Sequence, residues 1–133
     1  MSVFVTDTHP LVWFTLEKHS LLSKKALAAF AAAEKGEAFI RIPAVVLWET
    51  AILERGGRIV LHGGFSSWSS AILKNPYFDL IPLEPETIAL GTGYGFNSDP
   101  FDKMIAACAT HLDLPLITKD TSIAGAGLVE IYW

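Results

Sequence analysis

Short apolar runs alternate along this chain with segments whose apolar residues recur at helical spacing. Because the runs are apolar at nearly every position, they fit strands that are buried on both faces. Parallel strands also need a crossover connection, which is usually a helix. The pattern therefore predicts an α/β fold, with a central, mostly parallel sheet covered by helices on both faces. The predicted strands are residues 2–5, 38–42, 78–83, 114–118 and 128–133.

The intervening segments carry recognisable helix signals. Ser20 or Ser23 can cap the second helix, which ends before Gly36, and Pro100 stands in the first turn of the strongest helix. Residues 58–61 are predicted as a short extended piece, and residues 120–124 as a turn or short helix. The other predicted helices cover residues 8–14, 43–54, 65–74, 85–90 and 99–112. With 133 residues, no repeat and no linker, the chain is expected to form one domain, residues 1–133.

Composition excludes several classes of protein. Hydrophobic residues make up 51% of the chain, which is too apolar for a disordered segment. A single cysteine, Cys108, excludes an internal disulfide, fits a reducing compartment and is expected in the core. The longest uncharged apolar run, residues 26–33, is far shorter than the roughly 20 residues that span a bilayer. The first residues lack the features of a signal peptide. We therefore expect a soluble, cytoplasmic protein with no membrane association.

Acidic residues stand where a parallel sheet places its ligand site. Asp7 follows the first predicted strand and Asp120 follows the fourth, while Asp99 and Asp102 begin the helix between. Glu49 lies in a helix that is apolar on nearly every side. Since ligands bind beyond the carboxyl ends of parallel strands, these five acids are candidates for one site.

Each acid also has a simpler explanation. Asp7 and Asp99 can cap the helices that follow them, and Asp120 can be an ordinary turn residue. Glu49 is harder to explain, because a buried carboxylate without a partner is costly. Taken together, convergent carboxylates repel one another unless a cation neutralises them. Oxygen ligands without cysteine favour Mg²⁺ or Mn²⁺ over zinc. Such ions activate water and stabilise the leaving oxygen in displacement at phosphorus.

Five stretches resemble the PIN-domain ribonucleases, and among them the VapC-type toxins of toxin–antitoxin pairs. Residues 6–13 contain an Asp-Thr-His opening, and residues 47–52 a Trp-Glu helix followed by Gly-Arg-Ile-Val-Leu at 57–61. Residues 99–106 carry an Asp-Pro-Phe-Asp block, residues 114–120 end in Thr-Lys-Asp, and residues 129–133 complete the match. The Asp-Pro-Phe-Asp block and the Thr-Lys-Asp ending are the most specific of these motifs. The resemblance implies a PIN-like three-layer α/β/α sandwich.

The resemblance also implies roles for individual residues. Asp7, Glu49, Asp102 and Asp120 match the family's catalytic, metal-binding acids, and Asp99 an accessory acid. Thr118 matches the hydroxyl residue that supports the site. The implied activity is cleavage of RNA with Mg²⁺ or Mn²⁺, leaving a 5′-phosphate and a 3′-hydroxyl. The implied partners are the RNA substrate, a second copy in a homodimer, and a cognate antitoxin that places a basic side chain in the acidic site.

The net charge of −4 argues at first against nucleic acid. Without the five site acids, however, the formal charge would be +1. Lys103, Lys119 and Arg58 are then candidates for RNA contacts, and a chain without a dense basic patch is expected to cleave RNA in a strongly salt-dependent way. Lys103 stands where the family more often has Arg, and Leu53 where it often has Lys.

Aromatic and imidazole side chains form a second group of candidates. We expect Trp48 in the core, Trp13 and Trp68 at a rim, and Trp13 as a possible antitoxin contact. His9 is expected to pack near the site rather than to bind metal. The other histidines are expected on the surface.

Two other functions remain open from the sequence. A small-molecule phosphohydrolase would use Asp7 as its nucleophile, but such enzymes usually have a second Asp where this chain has His9. A PIN-like scaffold without catalytic activity would bind a partner and no metal. All the matching acids are present, which favours the nuclease.

Overall fold

The computed structural model describes residues 1–133. Its sheet has four strands, all parallel, in the order β3-β2-β1-β4. These strands are β1 (Ser2–Thr6), β2 (Ala38–Pro43), β3 (Phe78–Ile81) and β4 (Leu116–Ile117). The predicted α/β/α sandwich is confirmed, and its sheet is parallel throughout.

Seven helices flank the sheet, and a 3₁₀ turn at His19–Leu21 follows the first of them. None of the helices combines the length and apolar character needed to cross a membrane. The helices are α1 (Thr8–Thr15), α2 (Lys24–Glu34), α3 (Ala44–Arg55), α4 (Gly64–Leu73), α5 (Pro85–Thr92), α6 (Pro100–Leu112) and α7 (Thr121–Ala126).

Two predicted extended segments are wrong. Residues 128–133 form only one bridge to the sheet, between Ile131 and Leu116. The physical reason is that β4 is two residues long, so it leaves a neighbour almost no ladder to extend. Residues 58–61 form no strand, because the Arg58 N–H is used to close α3 by donating to the Leu53 carbonyl at 2.9 Å.

The core is one cluster that includes residues from every strand and from most of the helices. Phe30 of α2 is fully buried, and its ring stacks on Phe14 of α1 with centroids 5.0 Å apart. Cys108 is also buried, as predicted, on α6. Burial raises the pKa of its thiol to about 11, which makes it a packing residue rather than a nucleophile.

Two of the predictions for tryptophan are wrong. Trp48 is 60% exposed, although the sequence places it in an almost wholly apolar helix. Trp68 is only 7% exposed, and its indole N–H donates to Thr15 Oγ1 at 2.9 Å. A buried indole is tolerated when its N–H has a partner. Here the partner lies 53 residues away in the sequence, where no local pattern could reveal it.

Helices α5 and α6 pack closely at Gly91. A Cβ atom at this position would lie 3.0 Å from the Lys103 carbonyl and 2.7 Å from the Met104 Cε. The methyl end of Met104 can move, but the backbone oxygen cannot. We expect Gly91→Ala to lower the free energy of unfolding by about 1–3 kcal/mol, despite the higher helix propensity of Ala.

Urea unfolding of Gly91→Ala and Gly125→Ala would test this packing. Gly125 also lies in a helix, α7, and a Cβ there meets nothing within 4 Å. The Gly125→Ala variant should therefore be neutral or slightly stabilised. Equal stabilities for the two variants would contradict the close approach of α5 and α6.

Candidate active site

The register of the sheet brings Asp7 and Thr118 together. Thr6 pairs with Ile117, so the residues that follow them are neighbours at the carboxyl edge of the sheet. The Asp7 N–H donates to the Ile117 carbonyl at 3.0 Å, and Thr118 Oγ1 donates to Asp7 Oδ2 at 2.6 Å. The Thr8 N–H donates to Asp7 Oδ1 at 2.8 Å, so Asp7 also caps α1. Asp7 is 8% exposed and held at both oxygens.

Glu49 is held through Thr8. It lies in the middle of α3, where the sequence offers no basic partner one turn away. The partner is a hydroxyl instead, because Thr8 Oγ1 donates to Glu49 Oε1 at 2.5 Å. The buried Thr8 therefore links Asp7, through its backbone, to Glu49, through its side chain.

Asp99 and Asp102 belong to the beginning of α6. Asp99 caps the helix, since its Oδ1 accepts from the N–H groups of Phe101 at 2.8 Å and Asp102 at 3.4 Å. Its own N–H donates to Asn97 Oδ1 at 3.0 Å. Asn97 then reaches the second acid, because its Nδ2 donates to Asp102 Oδ2 at 2.8 Å. The capping explanation for Asp99 is thus correct.

Asp120 caps α7 and completes the edge. Its Oδ1 accepts from the Ile123 N–H at 2.9 Å and from Ser122 Oγ at 2.6 Å. Its own N–H donates to Thr118 Oγ1 at 3.0 Å, next to Asp7. Ser122 Oγ also accepts from Asn97 Nδ2 at 2.9 Å. Hydrogen bonds therefore connect Asp102, Asp120, Asp7 and Glu49 into one network.

In four of the five acids, one carboxylate oxygen is not used by the hydrogen-bond network. One oxygen each of Asp99, Asp102, Asp120 and Glu49 accepts hydrogen bonds, and the other oxygen receives no donor from the protein. Oxygens of this kind are the ligands that Mg²⁺ and Mn²⁺ prefer. The chemistry of these carboxylate ligands therefore fits such an ion. In the geometry of the structure, no three His, Cys, Asp or Glu side chains are arranged to hold an ion jointly.

Burial and mutual repulsion perturb the acids. Burial, then the charges of Asp99, Asp120 and Asp7, raises the pKa of Asp102 to about 7. Burial also raises the pKa values of Asp7 and Glu49. For Asp120 burial acts in the same direction, but hydrogen bonds from Ser122 and Ile123 outweigh it and lower the pKa. The folded protein thus stabilises the protonated form of these three acids relative to free carboxyl groups, which is expected when no cation offsets their charge.

The raised pKa values predict how the metal-free protein responds to pH. An acid with a higher pKa in the folded state stabilises the fold while it is protonated, and this contribution is lost as pH rises. For Asp102 the loss runs from the ordinary value near 3.8 up to about 7. In EDTA, we expect a lower melting temperature at about pH 8 than at about pH 5.5.

Comparison with Asp102→Asn isolates the contribution of Asp102 to the pH dependence. The variant should lose part of the pH dependence, because its amide does not titrate. Melting curves by circular dichroism at several pH values would measure both proteins. Identical pH dependence in the two proteins would contradict the raised pKa of Asp102.

The basic residues predicted to contact RNA, and His9, differ in their exposure and in their place relative to the acids. Lys119 is exposed between Thr118 and Asp120, and Lys103 is half-buried beside Asp102. Arg58 is exposed beyond the far end of α3. His9 is exposed near the acids, and its charge lowers the pKa values of Asp7, Glu49 and Asp120.

Trp13 is half-buried, and its ring packs against the ring of His9. The two rings lie 5.8 Å apart, and Trp13 packs edge-on against Trp133 at 6.4 Å. His9 therefore packs near the site, as expected. A cavity of about 460 Å³, lined among others by Phe14 and Trp68, contains none of the five acids. The acids lie at the edge of the sheet and not in that cavity.

Sequence reasoning missed the roles of Asn97, Ser122 and Thr8. The signal for Asn97 was its position two residues before Asp99, where an Asn side chain commonly accepts the N–H two residues on. Ser122 and Thr8 each follow a predicted site acid closely. Their hydroxyls are the donors that such acids would need.

The fold and the site together define an α/β domain with an acidic centre at the carboxyl edge of a parallel sheet. The PIN domain family model matches residues 4–127, which is most of the chain. The chain belongs to the PIN domain family. No curated protein matches its sequence.

Solved structures with low sequence identity share the fold. The VapBC2 complex of Rickettsia felis, bound to a promoter DNA fragment, includes a chain with a TM-score of 0.66 and 14% identity, covering 97% of this chain and 96% of its own. FitAcB of Neisseria gonorrhoeae gives a TM-score of 0.62 and 18% identity, with coverages of 98% and 96%. PAE2754 of Pyrobaculum aerophilum gives 0.55 and 14%, with coverages of 98% and 90%.

Proposed function

We propose that this protein is a metal-dependent endoribonuclease and the toxin of a toxin–antitoxin pair, acting in the cytoplasm. The observation that carries the proposal is the hydrogen-bonded set of carboxylates, four of which keep an oxygen free of protein donors. Membership of the PIN domain family and the resemblance of the Asp-Pro-Phe-Asp and Thr-Lys-Asp motifs to ribonuclease toxins support the same reading.

The residues at the carboxyl edge of the sheet would have two roles, metal binding and orientation of the metal ligands. Asp7, Glu49, Asp102 and Asp120 would hold one or two Mg²⁺ or Mn²⁺ ions, and Asp99 would assist. Bound ions of this kind supply activation of water and stabilisation of the leaving oxygen in phosphodiester hydrolysis. Thr118 and Thr8 orient the carboxylates of Asp7 and Glu49 by donating to them.

Basic side chains beside the acids would bind the RNA backbone. Lys119 and Lys103 each adjoin a site acid in the sequence, and their ammonium groups would contact phosphates near the scissile bond. Arg58 lies beyond the C-terminal end of α3, and would contact a phosphate farther from the scissile bond. Few such contacts imply weak general affinity and strong inhibition of cleavage by salt.

The sequence and the geometry disfavour the small-molecule phosphohydrolase. Such enzymes usually have a second Asp two residues after the nucleophile, and the exposed His9 stands at that position after Asp7. An open edge outside the cavity beside Phe14 and Trp68 also suits a polymer better than a small enclosed substrate.

An antitoxin protein is the proposed regulatory partner. The VapBC2 and FitAcB structures are similar in fold to this chain over almost its whole length, which supports such a partner. A basic side chain from the antitoxin would complement the acids, and half-buried Trp13 offers an apolar contact close to His9. We further propose a homodimer, which light scattering coupled to gel filtration would detect.

Cleavage of a mixed RNA pool would test the proposed function. Wild-type protein should cut RNA with Mg²⁺ or Mn²⁺, not with EDTA, and mapped ends should carry a 5′-phosphate and a 3′-hydroxyl. A protein that binds no metal by calorimetry and cuts no RNA would instead be a partner-binding scaffold. Cleavage that persists in EDTA would also overturn the proposal.

A further inference from the structure

Asn97 uses its whole side chain to join three segments around the acids. Its amide nitrogen donates to Asp102 Oδ2 at 2.8 Å and to Ser122 Oγ at 2.9 Å. Its Oδ1 accepts from the Asp99 N–H at 3.0 Å. Reversing the amide would place its oxygen against the Asp102 carboxylate and its nitrogen against the Asp99 N–H, and would break both of these hydrogen bonds.

Ser122 carries the connection on to the second acid. Its hydroxyl accepts from Asn97 and donates to Asp120 Oδ1 at 2.6 Å. A hydroxyl hydrogen can point in only one direction, and the Asn97 donor turns it toward Asp120. Two side chains thus span from α6 to α7, which are otherwise separated in the sequence by β4.

We propose that Asn97 and Ser122 are positioning residues, which hold the carboxylates of Asp102 and Asp120 in a fixed relative orientation for a shared divalent cation. Each bonded oxygen is turned toward the bridge, and Asp102 Oδ1 and Asp120 Oδ2 remain without protein donors. The inference rests on the proposed metal-dependent function. Neither residue touches the substrate or the reacting atoms in this role.

Preorganisation is the physical reason for such a bridge. Asp102 and Asp120 repel each other as anions, and each carboxylate can rotate about its own side-chain bonds. Asn97 donates to Asp102 and Ser122 donates to Asp120, so these two linked neutral donors offset part of the repulsion and remove part of the acids' rotational freedom before an ion arrives. Residues that orient metal ligands in this way typically contribute 10- to 100-fold in metal affinity.

Asn75 provides a matched control within the same chain. Its Oδ1 accepts from the Tyr77 N–H at 3.0 Å, the same turn that Asn97 forms with the N–H two residues ahead. Asn75 contacts no site acid through a hydrogen bond. Replacing either Asn by Ala removes a turn of this kind, but only Asn97→Ala removes the donor to Asp102.

Calorimetric titration with Mn²⁺ alone, without RNA, would test the bridge. We expect Asn97→Ala and Ser122→Ala each to weaken Mn²⁺ binding by roughly 10- to 100-fold. The double variant should lose little more than the weaker-binding single variant, because the two residues act as one bridge. Ser122→Thr keeps the hydroxyl and should restore most of the affinity, and Asn75→Ala should bind like wild type.

Three results would overturn the inference, in distinguishable ways. If wild-type protein binds no Mn²⁺, the proposed metal-dependent function fails together with the bridge. If wild type binds Mn²⁺ and Asn97→Ala binds it equally well, only the positioning role fails. If Asn97→Ala and Asn75→Ala lose affinity in parallel with a lower melting temperature, Asn97 merely stabilises its loop.

Discussion

Asp102→Asn is expected to lose metal-dependent RNA cleavage by more than about 100-fold and to raise the melting temperature of the metal-free protein. Substituting a residue that only orients a ligand costs about 10- to 100-fold, so removing a charged ligand should cost more. The stability gain follows from the raised pKa of Asp102, since an uncharged amide escapes both the burial penalty and the repulsion of nearby acids. Asn97 can still donate to the amide oxygen. Cleavage assays and melting curves in EDTA would measure both effects.

Asp113→Asn is the matched control for this substitution. Asp113 is exposed at the C-terminal end of α6 with φ of 53°, a conformation that Asn also adopts readily. It should keep full activity. Equal cleavage by Asp102→Asn and wild type, after identical purification, would indicate a contaminating nuclease and remove the support for the site.

Phe30→Ala is expected to have the largest effect on stability, about 3–5 kcal/mol. The ring is fully buried on α2 and stacks on Phe14, which belongs to the helix that follows Asp7. Its removal costs transfer free energy and leaves a cavity that the surrounding helices fill only in part. A loss of this size is a large share of the 5–15 kcal/mol that stabilises a typical domain.

Chemical denaturation of Phe30→Ala and Phe30→Leu would check this estimate. Leu keeps most of the apolar volume, so its cost should be less than about 1.5 kcal/mol. A small loss for both variants would mean that the contact between α1 and α2 adapts freely. The core at this place would then be less closely packed than the ring stacking indicates.

Much of the site could be predicted because it follows from strand topology. In a parallel sheet, residues that follow neighbouring strands lie side by side, and this rule brings Asp7 and Asp120 to one edge. Asp99 and Asp102 were recognisable through the helix start formed with Pro100. Each acid was located by a local signal, the end of a strand or the start of a helix, and these local signals agree with the tertiary structure.

Other features depend on distant partners and were not predictable. Trp48 was expected in the core because α3 is apolar on nearly every side, and such a helix has no periodicity that identifies its exposed face. Trp68 is buried because Thr15 accepts its N–H across 53 residues. The bridge from Asn97 to Ser122 spans 25 residues and connects the segment before α6 with the first turn of α7.

The order of strands has a consequence for synthesis of the protein. Of the four strands of the sheet, β1 is made before the others and lies between β2 and β4, and Asp7 obtains its hydroxyl partner only when Thr118 has been made. Long-range pairings of this kind form late, since they must wait for the intervening chain. A nascent chain that lacks Thr118 and Asp120 therefore cannot assemble the complete acidic edge. If the protein is the ribonuclease proposed above, ribosome-bound intermediates would thus be unable to cut the messenger that encodes them.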